Sequence, residues 1–503
     1  MLKARLEHDA VYGRCLATTE AVQQGDIVVE ELPFAYGPKR DSGIVCLGCY
    51  RYLDFGEDGD GDGDRCELCD WPLCGNCADV AGGDHRGECE VFAKARVTFA
   101  GNVGEDGVCP QLDCITALRV LLAKEEQPER WLEEVAPMEH HEQQRRANAD
   151  LWHADRVNIA QYLRGPCKLA ERFSEELIMQ VVGILEVNAF EARTTQGYPL
   201  RCLYPYTGIL AHNCVPNTAR SIHPSDGYKI RLRAMVPLEA GQQLQHSYTY
   251  TLDGTVQRQS HLREGKYFNC SCDRCLDASE LQTHFSSLKC GQCTEGWLLP
   301  KQPTALDTIW SCRACDNSST SEEVRQIVDA LQLEVNAVQS LEMGAKRLEE
   351  AERLLRKYKS LLHPSHYIAT GLRQLLIEMY GRVQGYEMVQ LTDQLLERKA
   401  QLCREVLKVL DHFEPGLSRA RAMNLYELHV PLVLLAKNGF IASRLSGADL
   451  RSRLVEAIDL LKECVEILQH EDPSSQEGIL CGVARQALQQ LTASVEGLGN
   501  QLE

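Results

Sequence analysis

Cysteines spaced for a metal are the first chemistry in this chain. Between residues 46 and 89 stand Cys46-x2-Cys49, Cys66-x2-Cys69, Cys74-x2-Cys77 and His85-x3-Cys89. A two-residue spacer lets one tight turn aim both sulfurs at one ion. Seven thiols and one imidazole are enough for two closed tetrahedral zinc sites. We expect the sites to interleave, with Cys46, Cys49, Cys74 and Cys77 on one ion and Cys66, Cys69, His85 and Cys89 on the other; pairing in simple sequence order is the alternative. Cys270-x-Cys272-x2-Cys275 offers three further ligands and needs a fourth from elsewhere. Cys290-x2-Cys293 and Cys312-x2-Cys315 read as a self-contained zinc ribbon with Trp297 and Trp310 near its knuckles. A site closed by four protein ligands leaves no position for water or substrate, so all of these are expected to be structural.

Disulfides are the other use of 23 cysteines in 503 residues. The opening stretch MLKARLEHDAVYGRC is charged throughout and has no apolar run that could serve as an export signal. A reducing compartment is therefore expected, and metal with it. No run of eighteen apolar residues occurs, so no membrane span is expected. The 53 basic and 72 acidic side chains leave a net charge of −19, which disfavours direct nucleic-acid binding. The stretch Asp58-x-Asp60-x-Asp62-Gly63 imitates the start of a calcium loop, but its twelfth position is Cys69, so we read it as a solvated acidic loop. The finger segment 46–89 has little apolar core of its own, and its fold is expected to depend on metal.

The elements that position these residues follow from periodicity. Ile115, Leu118, Leu121 and Leu122, then Trp131, Leu132 and Val135, make residues 90–185 helical. From about 319 three apolar stripes run to the end: Val324, Ile327, Val328, Leu331, Val335 and Val338; then Leu348 to Leu362; then Leu454, Ile458, Leu461, Val465 and Leu468. Breaks at His363-Pro364, Glu414-Pro415-Gly416 and Asp472-Pro473 punctuate an antiparallel array, with Cys403, Cys464 and Cys481 as core residues. Tyr248 and Tyr250 alternate as on a strand.

The eight-ligand block resembles a MYND zinc finger, and the segments on either side resemble a SET methyltransferase domain split by it. Tyr12-Gly13-Arg14-Cys15-Leu16 resembles the family's Gly-x-Gly-Leu turn, and Gly25 to Glu31 its Gly-Glu strand. Glu186-Val187-Asn188-Ala189-Phe190-Glu191, Ala211-His212-Asn213-Cys214 and Gly241 to Tyr248 follow the finger. The Cys270/Cys272/Cys275 cluster resembles the post-SET motif, whose fourth ligand in the family corresponds to Cys214. This order is similar to that of the SET-and-MYND (SMYD-type) proteins. The extra ribbon and the phrase His246 to Thr255 are similar to the insect-type branch.

The resemblance implies an α+β, multidomain fold. Its parts are an N-terminal SET half (1–45), the MYND finger (46–89), a helical SET insert (90–185) and a C-terminal SET half (186–269). The post-SET motif (270–275), the zinc ribbon (276–318) and a helical, tetratricopeptide-like domain (319–503) complete it. It also implies transfer of a methyl group from S-adenosylmethionine to a protein lysine, on a histone or another protein, with about four structural zinc ions. Gly13, Arg14, Asn188, His212 and Phe268 match cofactor-binding positions, and Tyr248 matches the tyrosine at the channel junction. The second channel tyrosine falls by an ungapped count on Lys266, one place before Tyr267; Tyr248 and Tyr267 are the catalytic candidates. Cys15 stands where the turn wants glycine, and Ala211 replaces an asparagine. With Lys266, these departures motivate the alternative, a catalytically degenerate scaffold for protein contacts such as a transcriptional co-regulator. A proline-rich peptide at the finger, a monomer, and residence in nucleus and cytoplasm complete the expectations; Arg145-Arg146 is too short for a basic localisation run.

Overall fold

A computed structural model describes residues 3–10, 13–55, 63–79 and 85–499. Tyr12 and most of the acidic stretch at 58–63 lie outside the described residues. The chain is a mixed helix-and-sheet protein of several parts.

Strands from the two ends of a long insertion pair with each other. Ile27–Glu31 joins a three-stranded antiparallel sheet as the neighbour of Lys229–Ala234, which also pairs with Thr218–His223. Ala35–Gly37 pairs with Pro199–Leu203, and that strand pairs with Phe190–Arg193. A hairpin of Ala4–Asp9 and Gly13–Thr18 and a two-stranded parallel pair, Ala211–His212 with Gln245–His246, complete this β region. The sequence Lys-Ile-Arg-Leu-Arg-Ala of Lys229–Ala234 shows why it is a strand: Ile230, Leu232 and Ala234 are buried and the basic residues between them face outward.

Helices fill the insertion as the apolar spacing requires. Cys114–Glu126 buries Ile115, Leu118 and Leu121. Glu175–Asn188 is started by Ser174, whose hydroxyl accepts from the Leu177 N–H at 3.2 Å, and it carries Asn188 in its last turn. The metal finger is less coreless than its sequence suggests. Trp71 is fully buried and stacks on Phe92 at 3.9 Å, so the finger shares one apolar core with the insert helices.

Beyond the β region, four strands from Leu288–Lys289 to Ser318–Thr320 form a sheet in sequential order. Seven α-helices between Ser321 and Gly499 follow among the described residues. The first opens with a capping box of Thr320 and Glu323. The helical array is fastened to the β region at Gly416, which has φ +76° and sits so close to the Met235 carbonyl that a Cβ would lie 1.9 Å from that oxygen. Leu417 N–H donates to the same carbonyl, and the Ser225 hydroxyl donates to Asp472 at 2.7 Å. No described helix is long and apolar enough to cross a membrane.

Candidate active site and metal centres

The structure gathers the cysteines into four sets of four ligands, each with all its ligand atoms within 4.8 Å of one another. Cys46, Cys49, Cys74 and Cys77 form one set, and Cys66, Cys69, His85 and Cys89 another; the two cross rather than follow sequence order. Cys214 joins Cys270, Cys272 and Cys275, and the fourth set is Cys290, Cys293, Cys312 and Cys315. Sulfurs at about 2.3 Å from a tetrahedral zinc are about 3.8 Å apart. The separations Cys49–Cys74 at 3.7 Å, Cys66–Cys89 at 3.6 Å, Cys214–Cys275 at 3.5 Å and Cys293–Cys312 at 3.7 Å match that spacing. The donor sets therefore fit zinc in number, type and distance.

Outer partners fix these ligands. His85 faces Cys69 Sγ through Nε2 at 3.1 Å and Glu88 through Nδ1 at 3.1 Å. Such a carboxylate holds the ring's orientation for metal. Arg119 contacts Glu88 and also donates to the Leu47 carbonyl at 2.9 Å, tying the finger to the insert. Burial pushes the Glu88 carboxyl up, but Arg119 and His85 outweigh it and hold it below the ordinary range. At the Cys214 set, the fully buried Arg258 donates to Cys214 Sγ at 3.2 Å and Cys275 Sγ at 3.5 Å, while pairing with Glu280 at 2.9 Å. Four thiolates around one zinc leave two negative charges, which this guanidinium partly offsets. Glu88 has a local signal, three places after His85; Arg258 has none.

A cleft of about 990 Å³ opens where the β segments meet the insert. Gly13, Arg14, Asn188, His212, Tyr248 and Phe268 all line it, although they come from distant parts of the chain. Gly13 has φ +68° with open space where a Cβ would be, so its backbone borders the cleft in a conformation that favours glycine. Arg14 donates to the Pro137 carbonyl at 2.6 Å. The Asn188 amide nitrogen donates to the carbonyls of Glu139 at 2.8 Å and Ile184 at 2.9 Å, which fixes the side chain at the helix end. His212 Nδ1 accepts from the Tyr248 N–H at 3.0 Å and its Nε2 faces Cys214 Sγ at 3.3 Å. Burial holds this imidazole neutral, pushed down to about 4. It lies edge-on to Phe268, with centroids 5.8 Å apart.

Tyr248 follows the two-residue strand Gln245–His246 in a bend, not in the strand its alternation with Tyr250 implied. Its hydroxyl donates to the Leu210 carbonyl, and burial pushes it up to about 12. The other catalytic candidate, Tyr267, is not among the residues lining the cleft; its ring packs 5.0 Å from that of His141, which does line it. The helix Thr255–Gly265 ends there, with the Lys266 and Phe268 N–H groups both donating to the Leu262 carbonyl and Tyr267 in the left-handed region at φ 61°. That turn, rather than strand alternation, delivers Lys266 to the cleft. Its ammonium donates to the Val187 carbonyl and lies 5.7 Å from the Tyr248 ring centroid. Cys15 is buried and does not line the cleft, so its thiol does not intrude there. Ala211 does line it and offers only a methyl and backbone. Arg220 is a lining residue that no spacing in the sequence signals.

The cleft suits S-adenosylmethionine on two counts: an open glycine turn beside an arginine, and an aromatic and apolar wall of Phe268, Ile209 and Leu210.

No protein-family model matches the chain. It is 29% identical over 320 residues to SET domain-containing protein SmydA-8, isoform A, of Drosophila melanogaster, covering 62% of this chain and 64% of that protein. The chain thus spans less than two thirds of that relative's length. It is 26% identical over 133 residues to histone-lysine N-methyltransferase Smyd1 of Mus musculus, covering 24% of this chain and 27% of that one. A solved structure, the SET domain of LSMT bound to lysine and AdoHcy, aligns with 97% of this chain and 88% of its own at 12% identity; its TM-score of 0.22 carries no structural argument. By sequence, the chain is a relative of the SET domain-containing and SET-and-MYND (SMYD-type) proteins.

Proposed function

We propose that the chain is an S-adenosylmethionine-dependent protein-lysine N-methyltransferase acting on histone or non-histone lysines. The observation that carries this reading is the cleft that joins Gly13, Arg14, Asn188, His212, Tyr248 and Phe268. When bound, the cofactor supplies an electrophilic methyl on a sulfonium. The chain's own residues then position and align. Gly13 and Arg14 border the cofactor, the helix-terminal Asn188 presents its amide oxygen, and Phe268 walls the adenine. Tyr248 remains protonated at neutral pH, and its hydroxyl and the Leu210 carbonyl line the path of the acceptor amine. Four zinc sites hold the walls and take no part in transfer. The acceptor is a lysine-bearing protein, with a proline-rich peptide at the finger as a further partner; the chain acts as a monomer in nucleus and cytoplasm.

Lys266 in place of a hydroxyl, with Ala211 in place of an amide, favours a second function. In it the SET region is catalytically degenerate and the finger and helices mediate protein contacts. Calorimetric titration with S-adenosylmethionine, followed by transfer of labelled methyl to histones and a lysate panel, separates the two. Cofactor binding and transfer abolished by Tyr248→Phe support the enzyme. No binding and no transfer to any substrate leave the scaffold.

A further inference from the structure

Two further cations, Lys266 and Arg220, line the cleft. Lys266 has the Val187 carbonyl as its partner and faces the Tyr248 ring. Arg220, on the strand Thr218–His223, lies over the Phe190 ring with its guanidinium carbon 5.0 Å from the centroid. Among the described residues its guanidinium makes no hydrogen bond and no ion pair. The acids around it are committed elsewhere. Glu191 pairs with Lys39 at 2.6 Å and Arg193 at 3.2 Å, and Glu186 with Arg201 at 2.9 Å. Arg419, which donates to the Arg220 carbonyl, is a further cation, itself paired with Glu471 at 2.6 Å.

Both side chains are half-buried on the cleft wall, and a guanidinium with no counter-ion, with a second cation in the same cavity, leaves unbalanced positive charge there. Both groups register it. Burial, and then Arg419, pull Arg220 down to about 10; burial, with Arg220 adding to it against Glu186, lowers Lys266. An oxyanion in the cavity offsets that charge, and a guanidinium and an ammonium lining one cleft suit a carboxylate.

We propose that Arg220 and Lys266 form an anion subsite in the cleft, taking a ligand carboxylate. That group is either an acidic side chain flanking the acceptor residue or the amino-acid end of the cofactor. The subsite goes beyond the methyl-transfer reading and stands whether or not transfer occurs. It also restricts the acceptor: a bare lysine ammonium carries the wrong sign, and an acid must accompany it.

The test is calorimetry on the zinc-loaded full chain and on Arg220→Met and Lys266→Met. The probes are glutarate, S-adenosylmethionine and its decarboxylated analogue, and zinc content and melting temperature verify that the variants fold. If the acceptor brings the carboxylate, glutarate binding weakens at least about ten-fold in each variant while the cofactor forms shift little. If the cofactor brings it, S-adenosylmethionine weakens by about that factor and the decarboxylated analogue does not. Equal binding of all probes to all three proteins, or no binding of any probe to wild type, overturns the subsite. Glutarate binding that depends on Lys266, with no binding of either cofactor form, sinks the methyl-transfer reading alone.

Discussion

Neutralising Lys266 is the most informative perturbation of the cleft. In the proposed methyl transfer the acceptor amine passes the Tyr248 hydroxyl, and the Lys266 ammonium lies 5.7 Å from the centre of that ring. A second unit charge at a comparable distance, with an effective dielectric of about 20, is repelled by about 3 kcal/mol. That repulsion corresponds to a factor of about 10² in binding or rate. Lys266→Met should therefore raise kcat/KM for a lysine peptide free of acidic residues by about 10². Lys266→Tyr should raise it further, because it adds a hydroxyl where charge develops. Both variants leave the Val187 carbonyl without its donor, at a cost of about 1–3 kcal/mol in stability. Thermal melts separate that cost from the gain in transfer. The assay is labelled methyl transfer at subsaturating peptide, alongside cofactor affinity. If both folded variants bind cofactor as wild type does, yet transfer no faster, the electrostatic reasoning is wrong.

Other consequences reach the rest of the molecule. Native mass spectrometry of the zinc-loaded chain should show four ions, and a strong chelator should loosen the finger while leaving the insert helices, because Trp71 stays packed on Phe92; a count below four would remove one of the sites. Gly416→Ala should cost at least about 2 kcal/mol in urea melts, since its positive φ and the nearby Met235 carbonyl both oppose a side chain; an unchanged midpoint would refute the close approach. Burial pushes His366 down to about 3 and His363 to about 4, below an unfolded value of about 6.5, so both are neutral in the folded state. Their stabilisation is complete above that unfolded value and is lost as pH falls through it towards the folded values. At pH about 5.5 each should cost about 1.4 kcal/mol relative to pH about 7.5, and flat stability over that range would show that they titrate as exposed imidazoles.

The legible parts of this protein were the local ones. A Cys-x2-Cys pair is a property of one turn, so the ligand pairs and the ribbon at Cys290–Cys315 could be named from spacing, as could the helical stripes at Ile115–Leu122 and Leu348–Leu362, while Cys214 came from the family resemblance. Motif order carried the likeness to SET-and-MYND proteins for the same reason. Only tertiary packing decided that Cys46 and Cys49 meet Cys74 and Cys77, and that Ile27–Glu31 finds its partner some two hundred residues away at Lys229–Ala234. Packing also covered the finger with Phe92 and tied His85 to Arg119 through Glu88. The cleft turned on one backbone choice. Past the helix end at Gly265, Lys266 lines the cleft while Tyr267, in the left-handed region, packs on His141. Arg220 reaches the same cavity from another strand. Spacing within a turn is written in the sequence, whereas the meeting of charges from separate elements depends on register and packing, which only the folded chain supplies.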